Sequence, residues 1–187
     1  MKKILLIAAM AFATVAGFAQ TKFAHVNFQE LVILMPEAEA ARAQMNATSQ
    51  EAQETYQGMM DEFQAKYQQY QQKSSTWTPT IRESKEKELT DMQNRIAEFS
   101  QSIQAELAEQ EQALMAPLYQ KAQDAVSKLA KDGGYTYVMD KGSFLYVDEA
   151  NSVDLTPAAR KALKIADGRT LETLQAELMA QAQQQTQ

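Results

Sequence analysis

The chain has 187 residues, with 24 acidic against 18 basic side chains, a single histidine and no cysteine. This balance disfavours nonspecific binding to nucleic acid or to an anionic membrane surface. The missing thiols exclude disulfides, thiolate metal sites and lipidation at an N-terminal cysteine. With 45% hydrophobic residues, the chain must hold together by packing alone.

Residues 1–19 read as a signal peptide: Lys2 and Lys3, the apolar run Ile4 to Ala16, then Gly17-Phe18-Ala19 ahead of the cleavage point. The run is too short to span a bilayer and no second one follows. The expectation is an exported protein, cleaved after about Ala19, without stable membrane insertion. Loss of the two lysines leaves 16 basic against 24 acidic residues, a formal charge of −8.

From Lys22 to Phe28 the sequence KFAHVNF alternates as a strand, with Ala24, Val26 and Phe28 on one face and Phe23 and His25 on the other. A short helix is expected over Gln29 to Leu34, stopping before Pro36. From Glu37 to Lys73 a stripe runs through Ala38, Ala41, Met45, Thr48, Ala52, Tyr56, Met59, Phe63, Tyr67 and Tyr70 in steps of three and four. Such a helix would be about 55 Å long, more than a compact domain of this size can cover.

Ser74 to Pro79 signals a turn, and Thr80 followed by Glu83 matches a capping box. A second stripe follows through Leu89, Met92, Ile96, Phe99, Ile103, Leu107, Leu114, Leu118, Ala125 and Leu129, interrupted by Gln110. The two stripes predict an antiparallel coiled-coil hairpin over residues 37–132, with its tip at about 74–80. Trp77, the only tryptophan, falls at that tip. It either folds back on Tyr70 and Ile81 as a cap or forms an exposed adhesive surface. Pro117 lies inside the second helix, where it removes the bond to the Ala113 carbonyl. It predicts either a hinge or a fixed kink.

Gly133-Gly134 ends the long helix. Tyr135 to Met139 and Phe144 to Val147 read as two strands joined through Asp140-Lys141-Gly142-Ser143, a strand hairpin. Both runs are apolar or aromatic on both faces, so a three-stranded sheet from one chain would leave one face wet. Association of several chains would cover it. Phe23, Val26, Phe28, Tyr137, Val138, Phe144 and Tyr146 are the candidates for that contact. Thr156-Pro157 opens another helix, running to about Lys164. Thr170 to Gln183 carries Leu171, Leu174, Leu178 and Ala182 on one face, before a frayed tail.

An enzyme is not expected. His25 alternates with core positions in a strand, there is no cysteine, and no serine lies in a nucleophile motif. Glu86, Glu88 and Asp91 read as a solvated helix face. Asp140, Asp148, Glu149 and Asp154 lack the spacing of a calcium loop, so no metal or cofactor is expected.

The order of elements then reaches a family. A signal peptide, KFAHVNF running into QELVILMPEAEAA, a long helical hairpin, and AVSKLAKDGGYTYVMDKGSFLYVDEANSVDLTPAARKALK together resemble the Skp/OmpH family of periplasmic chaperones, over about Lys22 to Ile165. The resemblance implies an α+β, mainly α fold: a homotrimer in which residues 20–36 and 133–165 build one small β-barrel body, from which three helical hairpins project around a cavity. Residues 166–187 form a C-terminal helix and tail outside that match.

The function it implies is an ATP-independent holdase that shelters unfolded outer-membrane β-barrel proteins. Met59, Met60, Phe63, Tyr67, Tyr70 and Trp77 are then the client-contact candidates, methionine being especially tolerant of shape. Met60 lies about a hundred degrees from Met59 on the helix, off the seam, and so faces a client better. Unlike the basic arms common in that family, residues 37–132 hold 10 basic and 16 acidic side chains, net −6, and no lipopolysaccharide-binding cluster carries over. The rival is a structural coiled-coil scaffold or spacer of the cell envelope, which would bind a folded partner by helix packing.

Overall fold

A computed structural model of the protein describes residues 21–185. The expected signal peptide and the last two residues of the expected tail lie outside the described residues. The chain forms two compact units: residues 21–32 together with 121–185, and residues 33–120.

In the first unit, strand β1 (Phe23–Val26) is the centre of a three-stranded parallel sheet of order β2-β1-β3. Strand β2 (Tyr137–Asp140) pairs with it in the register Phe23 opposite Tyr137, and strand β3 (Ser152–Asp154) in the register Phe23 opposite Ser152. The expected strand hairpin is therefore absent. A 3-10 turn, Lys141–Ser143, follows β2, and Phe144 to Val147 form no strand. Phe144 has extended backbone angles, but a strand also needs ladder partners, and no described segment pairs with these residues. Strand β3 comes instead from Ser-Val-Asp, too short and polar to stand out by composition.

Side-chain caps fix the ends of β1. Asn27 caps helix α1 (Phe28–Leu34), its Oδ1 accepting from the Glu30 amide at 3.2 Å and its Nδ2 donating to Glu30 Oε2 at 3.1 Å. The Asn27 amide donates to Thr156 Oγ1 at 2.9 Å, and the Phe28 amide to Asp140 Oδ1 at 3.2 Å. Helix α4 (Thr156–Ala162) starts on the Asp154 carboxylate, which accepts from the Thr156 amide at 2.8 Å. It ends on Lys164, whose φ of 59° makes the left-handed turn that glycine usually supplies. Ala24, Val26, Leu31, Val32, Leu155, Ala159, Leu163 and Ile165 are buried in this unit.

Helix α5 (Leu171–Gln185) buries Leu174 and leaves Leu171, Leu178 and Met179 exposed. Its approach is held by Arg160, which pairs with Glu30 and donates to the Ala166 carbonyl at 3.0 Å and to the Arg169 carbonyl.

The second unit is a helical hairpin, whose second helix runs on past residue 120 into the first unit. Helix α2 (Pro36–Lys73) carries Pro36 in its first turn, where the missing amide hydrogen removes no intrahelical bond. A 3-10 turn (Ser74–Thr76) leads into helix α3 (Pro79–Gly133). The cap is Thr78 rather than Thr80: its Oγ1 accepts from the Ile81 amide at 3.4 Å and its carbonyl from the Arg82 amide at 3.0 Å. Pro79 takes the first helical position, so the residue ahead of it becomes the cap. Helix α3 closes at Gly134, whose φ of 66° lets the Tyr135 amide reach the Ala130 carbonyl at 3.0 Å. Pro117 lies within α3.

Candidate functional site

The six client-contact candidates all fall on the outer part of the hairpin. Phe63 and Tyr67 stack with ring centroids 6.0 Å apart and an interplanar angle of 14°. Met59, Met60, Phe63 and Tyr70 are half-buried and Tyr67 is exposed. Met59 and Met60 thus share one degree of burial, without the contrast expected from their angular offset. Trp77 is half-buried, with its ring 5.9 Å from Tyr70 at 63°. That edge-on contact is what a cap makes. Ile81 remains exposed.

Polar side chains tie the same region across the hairpin. Lys66 on α2 bonds Glu88 on α3, which also accepts from Lys85 at 2.7 Å, and Tyr70 donates its hydroxyl to Glu86. Arg82 Nε donates to the Ser74 carbonyl at 3.2 Å. Glu86 and Glu88 are therefore cross-helix partners and not merely a solvated face. Their spacing of two places them on opposite sides of an ideal helix, but their long side chains both reach α2. The signal in the sequence was the pair Lys66 and Tyr70, one turn apart, opposite acidic residues. The hydrogen bonds from Lys66 and Lys85 lower the Glu88 pKa from 4.5 to about 2. The bond that Tyr70 donates to Glu86 raises the Tyr70 pKa, and the bond that Lys66 donates to Glu88 raises the Lys66 pKa.

Further along the seam the packing thins. Of residues 36–120, Ala38, Ala41, Met92 and Leu118 are the fully buried apolar ones. Gln110 Nε2 donates to Thr48 Oγ1 at 3.2 Å, and Thr48 donates in turn to the Gln44 carbonyl at 3.2 Å. To one side of this layer is a cavity of about 260 Å³ lined by Ala41, Arg42, Met45, Asn46, Glu111, Leu114 and Met115. To the other is one of about 200 Å³, with Ala52, Tyr56, Phe99, Ile103 and Leu107 in its walls.

The oligomer candidates divide by burial. Val26 belongs to the body's own core. Phe28 and Val138 are half-buried and line, with Val126 and Ala130 of α3, a cleft of about 490 Å³. Phe23 and Tyr137 lie opposite each other in the sheet register and stack at 6.2 Å with an interplanar angle of 11°. Both are exposed, as are Phe144 and Tyr146. Leu145, beside them, is fully exposed and Val153 is half-exposed. Nothing in the alternation of the sequence singled out these last two.

His25 is 1% exposed, and its Nδ1 shares a hydrogen bond of 2.9 Å with Ser152 Oγ across β1 and β3. It lines a cavity of about 290 Å³ with Phe23, Met139, Phe144 and Tyr146. The four carboxylates near the sheet are engaged separately. Asp140 accepts from the Phe28 and Gly142 amides, Asp148 from the Ala150 amide and Asn151, Glu149 pairs with Lys141, and Asp154 caps α4. The Asn151 bond lowers the Asp148 pKa. Among the described residues no group of His, Asp or Glu could hold a metal ion, and no helix is long and apolar enough to cross a membrane.

This pairing of a small parallel sheet with a long helical hairpin has known counterparts. The sequence model of the family described as outer membrane protein (OmpH-like) matches residues 22–163. The chain belongs to the OmpH-like family. Two curated relatives carry the name chaperone protein Skp. That of Yersinia enterocolitica is 27% identical over 166 residues, covering 88% of this chain and all of the relative. That of Pectobacterium atrosepticum is 26% identical over 167 residues with the same coverage. An OmpH-like protein of Caulobacter crescentus CB15 has a similar fold, with a TM-score of 0.69 over 79% of this chain and 86% of that one at 18% identity. The OmpH-like match includes the sheet and both hairpin helices and stops short of α5.

Proposed function

We propose that this OmpH-like protein is a periplasmic holdase chaperone. Without nucleotide, it binds unfolded outer-membrane β-barrel proteins and keeps them from aggregating before insertion. The supporting observation is the full-length likeness to two proteins named chaperone protein Skp, which takes in both the body and the hairpin. In this reading three chains pool their sheets into one barrel-like body. The exposed set Phe23, Tyr137, Phe144, Leu145 and Tyr146 is the surface they cover, because a contiguous apolar patch of this kind marks an interface. The unpaired segment Phe144 to Val147 then finds its ladder partner in another subunit.

Three hairpins bound the client cavity. Clients meet Met59, Met60, Phe63 and Tyr67 through many weak, adaptable contacts, and Pro117 is the hinge that lets the cavity fit different sizes. An unfolded barrel protein suits such a site because its alternating apolar residues aggregate when unpaired.

The test is light scattering of a denatured β-barrel protein diluted into buffer with the cleaved chain and no nucleotide, paired with the native mass of the oligomer. Suppression at stoichiometric ratio by a trimer is the expected result. An envelope scaffold would leave the scattering unchanged, and that outcome overturns the chaperone reading.

A further inference from the structure

The hairpin is not held evenly along its length. Its outer part is tied by Lys66 to Glu88 and by Tyr70 to Glu86, with Met92 buried in the seam. At the Thr48–Gln110 layer the seam is polar, and the Gln110 Oε1 atom is buried without a protein partner. Turning the amide end for end would only exchange which of its atoms lacks one. Closing this layer takes an amide oxygen out of water and returns nothing for it, whereas opening restores its hydration. The clefts of about 260 and 200 Å³ that flank the layer are open to solvent and lined by half-exposed side chains such as Met45 and Leu114. This compounds the defect, since loosely packed helices have few contacts to lose when they part. Two independent defects thus coincide in one stretch.

We propose that the hairpin opens locally at the Thr48–Gln110 layer and that the walls of the two cavities then receive an extended, apolar segment of unfolded polypeptide. The opening stands on the seam alone; the occupant rests on the chaperone reading above. The two cavities meet α2 about ten residues apart, roughly 15 Å at the helical rise. An extended chain covers that span in four to five residues, and its side chains at positions i and i+4 point to the same face. A polypeptide with alternating apolar residues therefore presents anchors at the right interval to Met45 and Leu114 in one cavity and to Tyr56 and Phe99 in the other.

Hydrogen exchange of the free, full-length mature protein, followed by mass spectrometry, tests the opening. Peptides from residues 44–56 and 99–114 are expected to exchange at least tenfold faster than those from 62–70 and 84–95. Gln110→Leu should slow the middle severalfold and leave the outer peptides unchanged, while Thr48→Val, which strands the whole amide, should speed it. Equal exchange in the two regions, or a Gln110→Leu protein that exchanges faster in the middle, overturns the opening. For the occupant, a photo-crosslinking side chain at Met45 or Tyr56 should capture a denatured β-barrel polypeptide, severalfold less in the Gln110→Leu background. Capture that is equal in both backgrounds overturns docking at the opened layer. Because exchange is read with no client present, a failure of the chaperone reading leaves that result intact.

Discussion

Glu88 is gripped from two directions, by Lys66 of the facing helix and by Lys85 of its own. A carboxylate whose folded pKa is lowered adds stability that is fully present above its unfolded value and is lost as pH falls through the folded one. For Glu88 that window runs from about 4.5 down to about 2. Thermal melts of the mature protein between pH 6 and pH 2.5 should show a falling midpoint below pH 4.5, with a shallower fall in Glu88→Gln. Parallel curves for the two proteins would show that the clamp does not stabilise the fold. Trp77 makes its own claim at this scale. Its contact with Tyr70 predicts that Trp77→Ala lowers hairpin stability by about 1 kcal/mol, as measured by urea unfolding. Unchanged stability with weaker client holding would favour an adhesive tip. That contact was one of two placements the sequence left open, because Tyr70 is the nearest aromatic along the chain. The clamps were harder to see, since a mixed run such as Arg82 to Asp91 looks solvated until the register of the facing helix is known.

The long helices were legible because their stripes persist over many turns, and an amphipathic period repeated that often has no rival interpretation. Their ends were legible only where backbone chemistry decides them, as at Gly134. At Thr78 the competing Thr80–Glu83 box misled by two residues. The sheet was read less well. Tyr137–Asp140 was approximately found, but the partner of β1 on its other side is Ser152–Asp154 rather than Phe144 to Val147. Strand pairing between distant segments leaves little trace in local composition. The polar step at Gln110 was visible as a gap in the stripe, although its Thr48 partner was not. Within α3, Pro117 lies three residues before the boundary between the two compact units. Pro117→Ala restores a donor for the Ala113 carbonyl and is expected to narrow the range of client sizes held, as judged by complexes with barrel proteins of increasing strand number. An unchanged range overturns the hinge.

For the molecule as a whole, charge and assembly set the expectations. Sixteen acidic against ten basic residues over 37–132 argue against capture by a positive cage. Added salt screens like-charge repulsion between the hairpins and an acidic client, so holding should stay constant or strengthen between 50 and 500 mM NaCl. A steep loss of client binding over that range would point to an electrostatic trap. The mainly helical fold with its small sheet, and the family, were within reach of the sequence because the fold survives at 18% identity. The proposed surface between subunits was not, because local alternation does not mark a side chain such as Leu145, which is fully exposed in the single chain. The order of the sheet carries a last consequence, for biosynthesis. The central strand is made near the start of the polypeptide, yet both of its neighbours come near the end, so that 127 residues separate His25 from its partner Ser152. Helices can wind as they emerge, whereas this sheet must wait for distant segments to be delivered. A polypeptide cut short before residue 137 lacks both strands that flank its first one, and one cut short before residue 152 lacks β3, so the sheet is complete only in a chain that runs through Asp154.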